Sequence, residues 1–177
     1  WNIPSVDFYA GTATRRAEIF KRLIDSGIKI DDQNFTISPE SAKILSLASA
    51  RFIITPYKLA TPSAVFSLLA STSDQPTFFV YQNNQARPHA YLTNNFKIAT
   101  TIKDLTEKLI NPDEDATIVE ENLIDLPIST PSVSVHVTKN LDLEVDLEVQ
   151  TNQRSLLILT DSYYPGWRAY LDKIPVK

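Results

Sequence analysis

The chain has 177 residues and 19.9 kDa, enough for one domain plus a small second layer, and its hydrophobic (43%) and charged (21%) fractions exclude wholesale disorder. Seventeen basic against twenty-one acidic residues, a net charge of −4, argue against a nucleic-acid binder held by phosphate contacts. The absence of Cys excludes disulfides, thiolate metal sites and a cysteine nucleophile.

Taken in chain order, Thr12 or Thr14 is placed to cap a helix running to about Ser26. Its apolar residues Ala17, Ile19, Phe20, Leu23 and Ile24 recur at helical spacing, and Gly27 stands where a C-terminal glycine is expected. Residues 28–37 read as a loop with a short strand at Phe35–Ile37. Ser38-Pro39-Glu40 predicts a helix start, with Ser as cap, Pro in the first turn and an early acid, and the helix runs to about Ala48. Arg51–Thr55 predicts a short buried strand. Pro62–Leu69 reads as a helix capped by Thr61. Thr77–Gln82 and Ala90–Thr93 predict strands, with a turn at Asn83-Asn84-Gln85. Thr101–Ile110 is a helix with Ile102, Leu105 and Leu109 on one face; Asn111-Pro112 ends it, because a proline disfavours helical geometry in the residue before it. Ala116–Glu120 predicts one more strand.

After Pro127 the pattern changes to period two. Val133, Val135 and Val137 alternate with Ser134, His136 and Thr138; Leu141, Leu143, Val145, Leu147 and Val149 alternate with Asp142, Glu144, Asp146 and Glu148. Lys139-Asn140 is the expected hairpin turn and Thr151-Asn152-Gln153 the next. Ser155–Thr160 and Trp167–Leu171 complete an antiparallel meander, read as part of a β-sandwich. The fold class is therefore α+β. A mixed α/β part occupies 1–125, and an antiparallel β-sandwich-like part occupies 126–177. Charge divides similarly: residues 112–150 hold ten acids and one base, whereas the segments on either side are net positive.

Few constellations carry chemistry. Only Gly11, Gly27 and Gly166 are present, so no glycine-rich phosphate loop is possible. The longest purely apolar runs are four or five residues, far short of the about 20 needed to span a bilayer. His89 and His136 are the only histidines, and no GxSxG elbow accompanies them, so no catalytic residue is assigned. The row Asp142, Glu144, Asp146, Glu148 offers hard oxygen ligands on one strand face. A row on a single strand lacks convergent loop ligands, so the reading adopted is a solvated face that also discourages edge pairing. Asp31-Asp32 and Asp113-Glu114-Asp115 read as solvated loop acids. No metal and no cofactor are expected.

The richest cluster runs from Asp161 to Asp172 and turns at Pro165-Gly166. One reading makes Tyr163, Tyr164, Trp167, Arg168 and Tyr170 a sugar-binding platform of flat aromatic faces and a polar handle. The other has Trp167 and one tyrosine close the core while Arg168 pairs with an acid.

This cluster, Asp-Ser-Tyr-Tyr-Pro-Gly-Trp-Arg-Ala-Tyr-Leu-Asp followed by Pro175-Val176, resembles a signature near the C-terminal end of the bacterial YfhO family of polytopic membrane proteins. Three further stretches are similar in the same order: Pro4 to Gly11, the strand Ala50–Ile54, and Val80 to Leu92 with Arg87-Pro88-His89-Ala90-Tyr91. The family's Pro-Arg is Pro88-His89 here, and its Asp-Gly turn is Asp172-Lys173. The resemblance implies a non-catalytic extracytoplasmic region of a bacterial cell-membrane protein similar to GT-C glycosyltransferases, which use polyprenyl-phosphate sugars. The implied partners are the transmembrane part of the parent chain and a cell-envelope glycan or lipid-linked sugar. The resemblance also places the catalytic acid in a membrane loop outside this chain and continues the sandwich past Lys177, so the β part is expected to be truncated. A Met-free chain beginning at Trp1 is read as an excised piece of such a parent. The alternative is a free-standing carbohydrate-binding β-sandwich module.

Overall fold

A computed structural model describes residues 15–61, 63–111, 116–120, 133–141, 143–161 and 166–176. The architecture is α+β, with three helices and several small sheets among the described residues. Helix α1 (Arg15–Ser26) leads into a hairpin of β1 (Ile28–Asp31) and β2 (Asn34–Ile37), then α2 (Pro39–Leu47). Strand β2 contains the short strand expected at Phe35–Ile37, and β1 replaces the loop expected before it. The hairpin's loop is Asp32-Gln33, with Asp32 at φ 46°, a conformation that Asp tolerates better than most residues.

Helix α2 starts as expected. Ser38 is extended, and its Oγ accepts the Ser41 N–H at 3.2 Å. The helix ends on a pair of reversed bonds: Ala50 N–H reaches Leu45 C=O and Ser49 N–H reaches Ser46 C=O. Ser49, at φ 56°, takes the left-handed place usually given to glycine. Strand β3 (Phe52–Thr55) follows, then β4 (Lys58–Leu59), which runs parallel to β2.

The helix expected over 62–69 is not formed. Phe66–Ser71 is strand β5, antiparallel to β6 (Phe79–Asn83), which also pairs with β3, so the sheet order is β3-β6-β5. The apolar set Val65, Phe66, Leu68 and Leu69 satisfies either period over so short a run. Ser63 Oγ accepts the N–H groups of Val65 and Phe66, making a local turn instead of a helix cap. The core lies between this sheet, α1, α2 and β2, and includes Ile24, Phe35, Ile44, Leu45, Phe66 and Tyr81. The Phe35 and Tyr81 rings meet edge-on at 5.6 Å, an arrangement worth about 0.5–1.5 kcal/mol beyond burial. The Tyr81 hydroxyl accepts the Leu59 N–H at 2.7 Å, fixing β4.

Next come β7 (Ala90–Thr93), β8 (Phe96–Ile98), α3 (Ile102–Ile110) and β9 (Thr117–Val119). Thr101 caps α3 through Asp104 N–H, and Leu105 and Leu109 pack against Phe20, Leu23 and Leu47. Strands β8 and β9 pair in parallel across α3.

Strands β10 (Val133–Leu141) and β11 (Glu144–Thr151) form the antiparallel hairpin expected from the alternation. The turn is displaced, because β10 passes through Lys139-Asn140 and Leu141 pairs with Glu144. A bulge between Val137 and Lys139 absorbs the extra residue. The meander stops there. Strand β12 (Leu156–Leu159) pairs with β7, not β11, with Leu156 opposite Thr93 and Leu159 opposite Ala90. A second hairpin, β13 (Ala169–Leu171) with β14 (Ile174–Val176), follows. Each sheet these strands enter has two strands among the described residues, short of the two packed sheets of a sandwich. The β12–β7 pair joins segment 126–177 to segment 1–125 directly.

Candidate functional site

Of the five platform residues, Tyr163 and Tyr164 lie outside the described residues. The other three sit on or just before the β13–β14 hairpin. Gly166 precedes them at φ 121°, a backbone conformation that asks for glycine, and no atom of the described residues beyond its chain neighbours lies within 4 Å of where a Cβ would stand. Trp167 is half-buried, Arg168 is exposed, and Tyr170 is 58% exposed. Tyr170 pairs across the hairpin with Pro175, and Leu171 with Ile174. Tyr170 therefore does not close the core. Among the described residues Arg168 makes no ion pair. Asp172 and Lys173 form the two-residue turn with φ 49° and 69°, the left-handed pair a tight hairpin demands. The backbone keeps that turn although neither residue is glycine.

The root of the cluster is tied to the sheet. His89 Nε2 lies 3.0 Å from Asp161 Oδ1, and the Thr160 N–H and Oγ1 both donate to the His89 carbonyl. One partner comes from the Arg87–Tyr91 stretch and the other from the start of the Asp161–Asp172 cluster. Their meeting was not readable in sequence, since 72 positions separate them.

Beside this junction the Arg87 guanidinium bonds the Tyr91 hydroxyl and Thr117 Oγ1, both at 3.1 Å, and its carbon stands 5.3 Å from the Tyr91 ring centroid. This clamp joins β7 to β9. The only sequence signal for it was the even spacing of Arg87 and Tyr91.

The acidic row behaves as a wet face. Glu144, Asp146 and Glu148 are exposed, and His136 and Lys139 stand opposite Glu148 and Asp146 in register. Lys139 bonds the Glu144 carboxylate, and this contact holds its ammonium pKa above the usual lysine value. Asp142 lies outside the described residues, as do Asp113, Glu114 and Asp115. Among the described residues no three His, Asp or Glu side chains gather where they could hold a metal ion. Asp31 and Asp32 are exposed at the β1–β2 turn. No described helix is long and apolar enough to cross a membrane.

No family model, curated protein or solved structure matches this chain.

Proposed function

We propose that this chain is a non-catalytic, extracytoplasmic domain of a YfhO-like bacterial membrane protein. It assists glycosyl transfer by binding or positioning a cell-envelope glycan, a lipid-linked sugar or the transmembrane part of its own parent. Resemblance in the aromatic block and in the Arg87–Tyr91 block motivates the family. The observation that carries the binding role is the exposure of Tyr170 beside Arg168 on a hairpin whose strands, among the described residues, pair with each other alone. A ring presented to solvent beside a guanidinium offers a stacking face and hydrogen-bond donors, the pair of features a sugar ring and its hydroxyls engage.

Glycan binding tests the reading. Tyr170→Ala alters an exposed side chain, so the fold should persist by circular dichroism while affinity for a cell-envelope oligosaccharide falls at least about tenfold, a loss of about 1.4 kcal/mol. Trp167→Ala should weaken binding and also lower stability, since Trp167 is half-buried. Unchanged binding in Tyr170→Ala would remove the platform from the hairpin. The parent reading frame separates the two classes: apolar spans of about 20 residues support the membrane-protein reading. A secreted parent with none supports a free-standing carbohydrate module.

A further inference from the structure

The sheet β3-β6-β5 ends on a strand whose outer edge is open. Among the described residues, strand β5 has one neighbour, β6, and no backbone group of residues 67–71 bonds any other element. From Ser67 to Ser71 every residue is exposed, with Leu68 at 54% and Leu69 at 58%. An open edge presents a row of N–H and C=O groups whose spacing fits only another extended backbone.

Natural edges are usually blunted by charge, especially lysine, or by proline. This one carries neither: no charged residue lies between Lys58 and Asp74, and Phe66–Ser71 contains no proline. A bulge at Leu69 is its one irregularity, and it pushes an additional leucine into solvent.

We propose that β5 pairs antiparallel with β5 of a second copy of this chain, joining two three-stranded sheets into one of six. Three observations favour a second copy over a foreign strand. A two-fold axis pairs this stretch with the same stretch, residue i with j and j with i, so like charges on it would repel; this edge holds none. The outer face carries the cross-strand row Ile54, Val80 and Ala70, which pairing would continue into the second sheet. Leu68 and Leu69, 54% and 58% exposed on the edge strand itself, supply apolar area beside the junction.

Sedimentation velocity from about 1 µM to 1 mM tests this, because association is concentration-dependent. The expected result is a mass that rises to twice 19.9 kDa. Leu69→Lys and Ser71→Lys each add charge to the open edge and should hold the mass at one copy, with unchanged circular dichroism. Both sites are exposed, and either folded variant suffices for the comparison. Leu143→Lys, at a 93% exposed residue beyond β10, should leave the association intact. A wild-type chain that stays monomeric throughout overturns the proposal. So does a dimer that survives in a folded edge variant, or an edge that takes up a foreign β-peptide without self-association.

Discussion

The His89 imidazole and the Asp161 carboxylate meet at 3.0 Å across the junction of β7 and β12. The carboxylate accepts, so Nε2 carries the proton. The side chains are 31% and 38% exposed, which places the pair among partly screened contacts worth a fraction of a kcal/mol. A double-mutant cycle with His89→Ala and Asp161→Ala, followed by urea denaturation, should return a coupling of about 0.5 kcal/mol, reduced by salt. Zero coupling would leave the Thr160 bonds to the His89 carbonyl and the strand ladder to hold this end among the described residues.

Asn83 should prove far more costly to remove. It is 4% exposed; its Nδ2 donates to Ser46 Oγ and the Ala50 carbonyl, and its Oδ1 accepts the Gln85 N–H. These bonds knit the end of β6 to the end of α2. Asn83→Ala takes the amide from the buried Ala50 carbonyl, while Ser46 Oγ keeps its bond to the Ala42 carbonyl, so unfolding in urea should show a loss of about 1–3 kcal/mol. A loss below about 0.5 kcal/mol would mean that water replaces the amide.

Gly27, just past the end of α1, stands against Ser38 and Ser41 at the start of α2. A Cβ there would lie 2.1 Å from Ser41 Oγ and 2.3 Å from Ser38 Oγ. Ser38 Oγ caps α2, and Ser41 Oγ donates to the Leu23 and Ile24 carbonyls, so neither oxygen moves aside without losing bonds. Gly27→Ala should therefore destabilise by about 1–3 kcal/mol in thermal or urea unfolding. Adding Ser41→Ala should make the combined loss less than additive, because one of the two clashes goes with the hydroxyl.

The acid limb of stability should depend on Glu40. Its carboxyl is held below its ordinary value of 4.5, first by its own backbone N–H and then by the Ser38 side chain. A carboxyl depressed in the folded state stabilises above its unfolded value, and that contribution vanishes as pH falls through the lower folded value. Glu40→Gln should flatten the stability profile below about pH 4.5 while leaving the shape above it unchanged. Equal slopes for both proteins in acid urea titrations would show that the contact is absent.

Much of the local structure was legible because its causes are local. Ser38-Pro39-Glu40 and Thr101 start helices because capping oxygens reach N–H groups three residues on, within one turn. The valines and leucines from 133 to 149 announce strands because alternate side chains of a strand face opposite sides. The α+β class followed from such signals. Residues 62–69 were not legible. Four apolar residues fit both periods, and β5 exists because β6 offers it a ladder and the core accepts Phe66.

Of the candidate platform, the turn at Gly166 and the aromatic composition were readable, but the exposure of Tyr170 was not. Whether a ring fills a core or meets solvent depends on what packs over it, and no spacing rule states that. The same holds for β12. Its apolar run, Leu156 to Leu159, said strand and nothing about which neighbour. By itself the sequence determined where the helices begin, where the chain alternates and which chemistries it lacks, all matters of bonds and spacings within a few residues. Only the tertiary structure decided that β12 crosses to β7, that His89 meets Asp161, and that β5 has no second neighbour among the described residues. Strand partners are chosen among segments far apart in the chain, and the winning pair is the one whose burial and hydrogen bonds together outweigh closing the long loop between them.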